Sequence, residues 1–318
     1  MKVIDLKTLA NINKGIIKKT IENKIFVNGM IDGYTVVAID GTKIFGSNKK
    51  CCQKCLTTEI RGKTHYYHSG AVMSLVGKVP NLVLDYEMYN PKVDSQSKDE
   101  GELNVARRLL SRVVDTHKNL VDIVTYDALA CNSKFVNHCI ELGVDAIIRV
   151  KQNKNNSIKK VKKKVNKKEK VEEWEGNYLE KIEVYEERFY MKGVTKPLRY
   201  VKYAKKNSEK QRSQILIITT CLDMPLKSLY KMIKARWEIE NSIFNNLKSE
   251  AKMGHCFVHG GNSVEAILYL IFISSNLFQL FKVRRIKNHV KIQKELIRLL
   301  LKGLYLLKYD KNLIFNTT

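Results

Sequence analysis

The chain has 318 residues, with 57 Lys and Arg against 32 Asp and Glu, a formal charge of +25 and a pI near 9.6. A charge of that size calls for a polyanionic partner, with the phosphates of nucleic acid first and an acidic membrane surface second. Seven cysteines at irregular positions, with no signal peptide, exclude a secreted disulfide framework and point to a reducing cytoplasm.

Residues 1–30 read as one or two short basic helices. Tyr34 to Asp40 (YTVVAID) is an apolar, β-branched run that ends in a carboxylate and is followed by Gly41-Thr42. An aspartate at the C-terminal end of a buried strand stands where α/β folds place their chemistry, although aspartate before glycine is also ordinary turn chemistry. Cys52 and Cys55 then have the C-x2-C spacing of a metal knuckle, and His65 and His68 follow a short strand-like segment. On a strand the odd spacing sends the two histidines to opposite faces, so only one can join the cysteines. Cys52, Cys55 and His68 are the zinc candidates, with the fourth ligand open among Cys51, His255, Cys256 and His259. The alternative is a hairpin with two buried thiols.

Residues 65–88 read as two strands meeting at a turn around Lys78-Val79-Pro80, and Asn90 to Glu100 as a polar loop. Leu103 to Val114 is an amphipathic helix, with Glu100 and Glu102 at its start where the helix dipole favours them. Leu120 to Asp127 (LVDIVTYD) repeats the pattern of an apolar strand ending in aspartate. A helix over Lys134–Leu142 and a strand over Val144–Val150 complete a β-β-β-α-β-α-β order. Lys151 to Lys170, a lysine run, reads as a solvated loop able to touch phosphates without sequence preference. Glu172 to Cys221 is strand-like throughout and forms a β-rich insertion.

Lys227 to His255 is the stretch on which the rest hangs. Leu229, Met232, Ile233, Trp237, Ile239, Ile243, Phe244 and Leu247 recur at helical spacing, and the pattern predicts one helix of about seven turns buried along one side. Arg236 and Glu240 lie one turn apart on the same face, while Lys248 is displaced round the axis by roughly 80°. A surface ion pair would explain the first two equally well. Glu238, only two residues after Arg236, falls on another face. Val264 to Phe281 is close to membrane-spanning length, but Glu265, Ser274, Ser275, Asn276 and Gln279 interrupt it. It is expected to be a buried helix of a soluble protein. A basic helix is expected through KELIRLLLKGLYLLK, and the tail DKNLIFNTT carries no signal.

In order, VVAIDGT, CLTTE with YYHSGAVMSLVG, VTYDALA, and RWEIEN…NLKSE…GHCFVHGGN resemble DDE transposases of bacterial insertion sequences, most closely the class with a β-strand insertion before the glutamate. The resemblance covers about residues 34–282. It implies an α/β fold with a ribonuclease-H-like mixed sheet flanked by helices, a β-rich insertion and a helical C-terminal region. The corresponding divisions are 1–30, a short basic N-terminal segment; 31–150, the first part of the core; 151–222, lysine run and insertion; 223–282, core completion; and 283–318, a basic C-terminal helix. By position Asp40, Asp127 and Glu240 would be the carboxylates that hold Mg²⁺ or Mn²⁺, with Arg236 and Lys248 contacting DNA phosphates, or Arg236 serving as a structural partner of Glu240. The partners implied are transposon ends and target DNA, with a homo-oligomer assembled on DNA in a bacterial, nucleoid-associated setting. The sequence departs from the pattern in two places: Ile233 stands where many relatives have tyrosine, and Lys248 follows Glu240 by eight residues rather than seven. Relatives also carry a longer region for recognising transposon ends. A silent DNA-binding remnant, or a nuclease of the same fold without transposition, is therefore the alternative expectation.

Overall fold

The computed structural model describes residues 5–77, 79–91, 100–151, 155–176, 181–206, 212–260, 262–285, 295 and 297–303. Its centre is β1 (Val36–Ser47), whose first residues are apolar on both sides because both faces of the sheet are covered. Val36 and Ala38 face one core, and Val37 and Ile39 face the other. β1 pairs antiparallel with β3 (Lys63–Val76) and parallel with β5 (Ile123–Tyr126), which pairs parallel with β6 (Asp145–Arg149). β2 (Leu56–Ile60) and β4 (Val83–Met88) follow one another along the outer edge of β3. The β2–β3 hairpin closes through Arg61 and Gly62, both at positive φ, as a two-residue hairpin turn requires.

The β-rich insertion is not a separate layer. β10 (Arg212–Thr219) pairs with β6, and β9 (Leu198–Lys206), β8 (Lys181–Phe189) and β7 (Glu172–Glu175) continue outward, giving a ten-stranded mixed sheet ordered β2-β3-β1-β5-β6-β10-β9-β8-β7, with β4 beside β3. On one face lie α2 (Glu102–Thr116), α3 (Ser133–Glu141) and α4 (Asn156–Val165). The other face is covered by α5 (Leu226–Ala235) and its continuation, and by α7 (Ser263–Arg285). This is the mixed, ribonuclease-H-like α/β architecture that the sequence leads one to expect.

Three expectations need correction. β1 does not end at Asp40 but runs on to Ser47, still paired with β3; Asp40 instead marks the point where the neighbouring strand β5 stops. The lysine run is not a loop throughout, because Ile158, Val161 and Val165 share one helical face and bury it, turning the lysines of α4 outward. Asn155 caps this helix, its Oδ1 accepting from the Ser157 N–H at 2.8 Å. The stretch from Lys227 is not one α-helix either. A π segment, Ile239–Phe244, separates α5 from α6 (Asn245–Ser249).

At the N-terminus one helix, α1 (Leu6–Glu22), is followed by a 3-10 turn, Ile25–Gly29. Asn13 on α1 and Asn276 on α7 are both buried and hydrogen-bond each other at 2.9 Å and the β4 backbone at Leu84 and Val83. The polar interruption in the apolar run is thus a pin between three elements. α7 is long and apolar enough to cross a membrane, yet it buries Leu268, Phe272 and Asn276 against the rest of the chain. Residues 297–303 are helical, while most of the polar loop, the centre of the turn at 78 and the tail from 304 fall outside the described residues.

Candidate active site

The alternation of side chains along β1 and β5 decides which way the two aspartates point. Asp40 has the parity of Val36 and Ala38, and Asp127 that of Ile123, so both belong to the face covered by α5 and its continuation. The parallel register ends at the pair Ala38–Thr125, and Asp40 and Asp127 each follow that pair by two residues. Asp127 caps a 3-10 turn, Ala128–Ala130, accepting the Leu129 N–H at 2.8 Å. Glu240 enters from the π segment, and a shallow cleft is lined by Asp40, Lys43, Glu240, Asn241, Asn245 and Lys248.

Burial raises the Asp40 carboxyl to about 7, and the negative charges of Glu240, Glu102 and Asp127 push it the same way against the opposing pull of Arg236. Carboxylates held so close repel one another unless a proton or a cation lies among them. The donors are hard oxygens from separate elements, the set that magnesium or manganese prefers.

Arg236 is 2% exposed, and its Nη1 lies 2.7 Å from Glu240 Oε1. A guanidinium so enclosed offers DNA no surface, and its geometry is that of a partner orienting Glu240. Lys248 is exposed at the cleft. Glu238 turns away, accepting from the Gly77 N–H at 2.9 Å and from Asn81 at 3.2 Å. Trp237 is half-buried against the same core.

Two neighbours of the site escape the sequence reading. Glu102 has only a helix-dipole role by its position in the chain, yet its Oε2 occupies the space beside Gly41, where an added Cβ would come within 2.7 Å of it, while its Oε1 accepts from the Tyr126 hydroxyl at 2.8 Å. Arg149 ends β6 with its guanidinium 4.7 Å over Trp237, and it feels the charges of Glu240 and Asp127. The only signal is position: Glu102 opens a helix, and Arg149 closes an apolar strand.

A second cluster stands apart from the carboxylates. Cys52, Cys55, His68 and His259 bring their ligand atoms within 4.8 Å of one another. His65 does not take part, since its ring meets Lys43 Nζ at 2.8 Å and Asn48 at 2.6 Å. Cys51 is exposed, and Cys256 Sγ turns to the Val258 carbonyl at 3.7 Å. Burial pushes the Cys55 thiol up to about 11 and the His68 imidazole down to about 4.

The mixed sheet thus gathers Asp40, Glu240 and, just past the end of β5, Asp127 on the face covered by α5. The family model of the transposase DDE domain matches residues 32–277, and the chain belongs to that family. Among solved structures, a piggyBac transposase synaptic complex with hairpin DNA, determined by cryo-EM, is similar at TM-score 0.46 and 11% identity over 78% of this chain. This chain spans 47% of that one. An endonuclease V from Bacillus subtilis is similar at TM-score 0.31 and 10% identity, over 68% of this chain and 83% of that one. No curated protein matches the sequence.

Proposed function

We propose that the chain is a DNA transposase that cleaves phosphodiester bonds at transposon ends and joins the freed ends to target DNA, with Asp40, Asp127 and Glu240 as the carboxylates of its metal centre. The observation that carries this reading is the meeting of Asp40 and Glu240 at one cleft, with Asp127 at the end of the adjacent parallel strand, in a chain of the transposase DDE family. When bound by these residues, two divalent ions supply Lewis acidity for the attacking and leaving oxygens of an in-line displacement.

The chain's own residues do the rest. With its carboxyl raised to about 7, Asp40 would give up a proton on holding a cation. Arg236 fixes Glu240 from the buried side, which leaves its other oxygen for the cleft. Lys248, exposed beside the carboxylates, holds a phosphate, and Arg149 adds positive charge on the side of β6. The lysines of α4 contribute sequence-independent phosphate contacts.

The test is cleavage of a labelled duplex bearing candidate terminal repeats, with Mg²⁺, by the unaltered chain and by Asp127→Ala and Glu240→Ala. Activity that falls at least about a hundredfold in both variants supports the reading. Binding without cleavage by all three proteins would remove the enzyme and leave the DNA-binding remnant.

A further inference from the structure

We infer that Cys52, Cys55, His68 and His259 form a tetrahedral zinc site that clasps the segment following the Glu240 helix onto the strand pair carrying Asp40. The argument is metric. Four ligands placed tetrahedrally around zinc at Zn–S about 2.3 Å and Zn–N about 2.05 Å stand apart by about 3.8 Å for S–S, about 3.5 Å for S–N and about 3.3 Å for N–N. The structure has Cys52 Sγ to Cys55 Sγ at 3.8 Å, and His68 Nε2 to those sulfurs at 3.5 and 3.4 Å. His259 Nε2 stands 3.3 Å from Cys55 Sγ and 3.4 Å from His68 Nε2. Five separations fit one polyhedron, although the ligands come from three segments and His259 lies 191 residues beyond His68.

The surroundings also fit an ion rather than a casual contact. His68 is 2% exposed, and its Nε2 meets only sulfurs and another imidazole, while its Nδ1 has no partner among the described residues. An Nε2 buried among two sulfurs and an imidazole has only weak hydrogen-bond partners, and a cation at the centre would give it a ligand bond. Thiolates and imidazoles select zinc over the magnesium preferred by the carboxylate cluster. Phe45 packs on both rings, 5.1 Å from His68 and 5.5 Å from His259, and it lies on β1 directly beyond the stretch bearing Asp40. Lys54, inside the knuckle, pairs with Glu265 at 2.7 Å at the start of α7. The clasp therefore gathers β1, β3, the loop after Lys248 and the entry to α7.

The measurement is the zinc content of the full chain, purified under reducing conditions without chelator, and it does not depend on DNA cleavage. About one zinc per chain is expected, retained by Asp40→Asn and by His255→Ala, and reduced to under about a tenth by Cys55→Ser and His259→Ala. Exchange for Co²⁺ in the unaltered chain, which needs no variant to fold, should give the visible absorption of tetrahedral cobalt with thiolate charge transfer. Chelation should then lower Tm and expose the loop after Lys248 to protease. Absence of zinc, an octahedral cobalt spectrum, a Cys52–Cys55 disulfide in the reduced preparation, or loss of zinc in Asp40→Asn would each overturn the site.

Discussion

Asp40, the first carboxylate of the proposed metal centre, is the residue at which charge and burial meet. Its folded-state carboxyl is raised from 3.8 to about 7, chiefly by burial and then by Glu240 and Glu102. Between those two values the folded chain keeps a proton that the unfolded chain has lost, so stability falls as pH rises through that window and then levels off. In metal-free buffer Asp40→Asn is therefore expected to be more stable than the parent by roughly 1–2 kcal/mol at pH 7.5, the full shift being discounted for partial exposure. Denaturant titrations should show the difference vanishing near pH 4, and Mg²⁺ should stabilise only the parent. Glu238 supplies the contrast. Glu238→Ala removes the acceptor of the Gly77 and Asn81 hydrogen bonds and should cost about 1–3 kcal/mol, with cleavage kept in the folded fraction. Glu240→Gln should abolish cleavage and, by leaving the enclosed Arg236 without its charge partner, lower stability as well. In cleavage assays run beside melting curves, retained cleavage in the folded fraction is therefore what distinguishes Glu238 from Glu240.

Among the elements, the π segment explains a departure visible in the sequence. Lys248 follows Glu240 by eight residues, and on a continuous α-helix this would turn it roughly 80° away. An i→i+5 turn takes up one extra residue. Two turns then carry eight residues rather than seven, and Lys248 returns to the cleft with Glu240. Deleting Asn241, an exposed residue inside the π segment, should restore α spacing while leaving Ile243, Phe244 and Leu247 on the core face. That variant is expected to melt within a few degrees of the parent. The same deletion at Lys234 in α5, where no residue is surplus, rotates everything beyond it by about 100° and should cost about 3 kcal/mol or more. Thermal melts of the two deletions, read by circular dichroism, check this.

For the molecule as a whole, the net charge of +25 makes affinity for DNA a function of salt. If roughly six to ten phosphates are neutralised, raising salt from about 50 to 200 mM should weaken non-specific binding by about 10³–10⁵. Replacing Lys159, Lys160 and Lys163, exposed on α4, by Gln should reduce the slope of log affinity against log salt by about one for each phosphate left without its lysine. Fluorescence anisotropy on an unrelated duplex measures both. The ten-stranded sheet matters at this scale because the insertion extends the same sheet, placing α4 on the face opposite the aspartates.

Much is legible in the sequence because it is written in local periods. Buried parallel strands appear as unbroken apolar runs, so VVAID and LVDIVTYD mark both aspartates, and the spacing of Arg236 and Glu240 marks a shared helical face. The alternation of a strand likewise separates His65 from His68. Tertiary structure decided what depends on neighbours. β1 outlasts Asp40 because β3 continues to pair with it, and α4 forms because three apolar residues among lysines find a sheet to cover. Arg236 is enclosed by the packing of its helix, Glu102 reaches the site through space left by Gly41, and His259 joins the cysteines across the chain. Periodicity reports which face a residue occupies; only the closed chain determines what stands opposite that face.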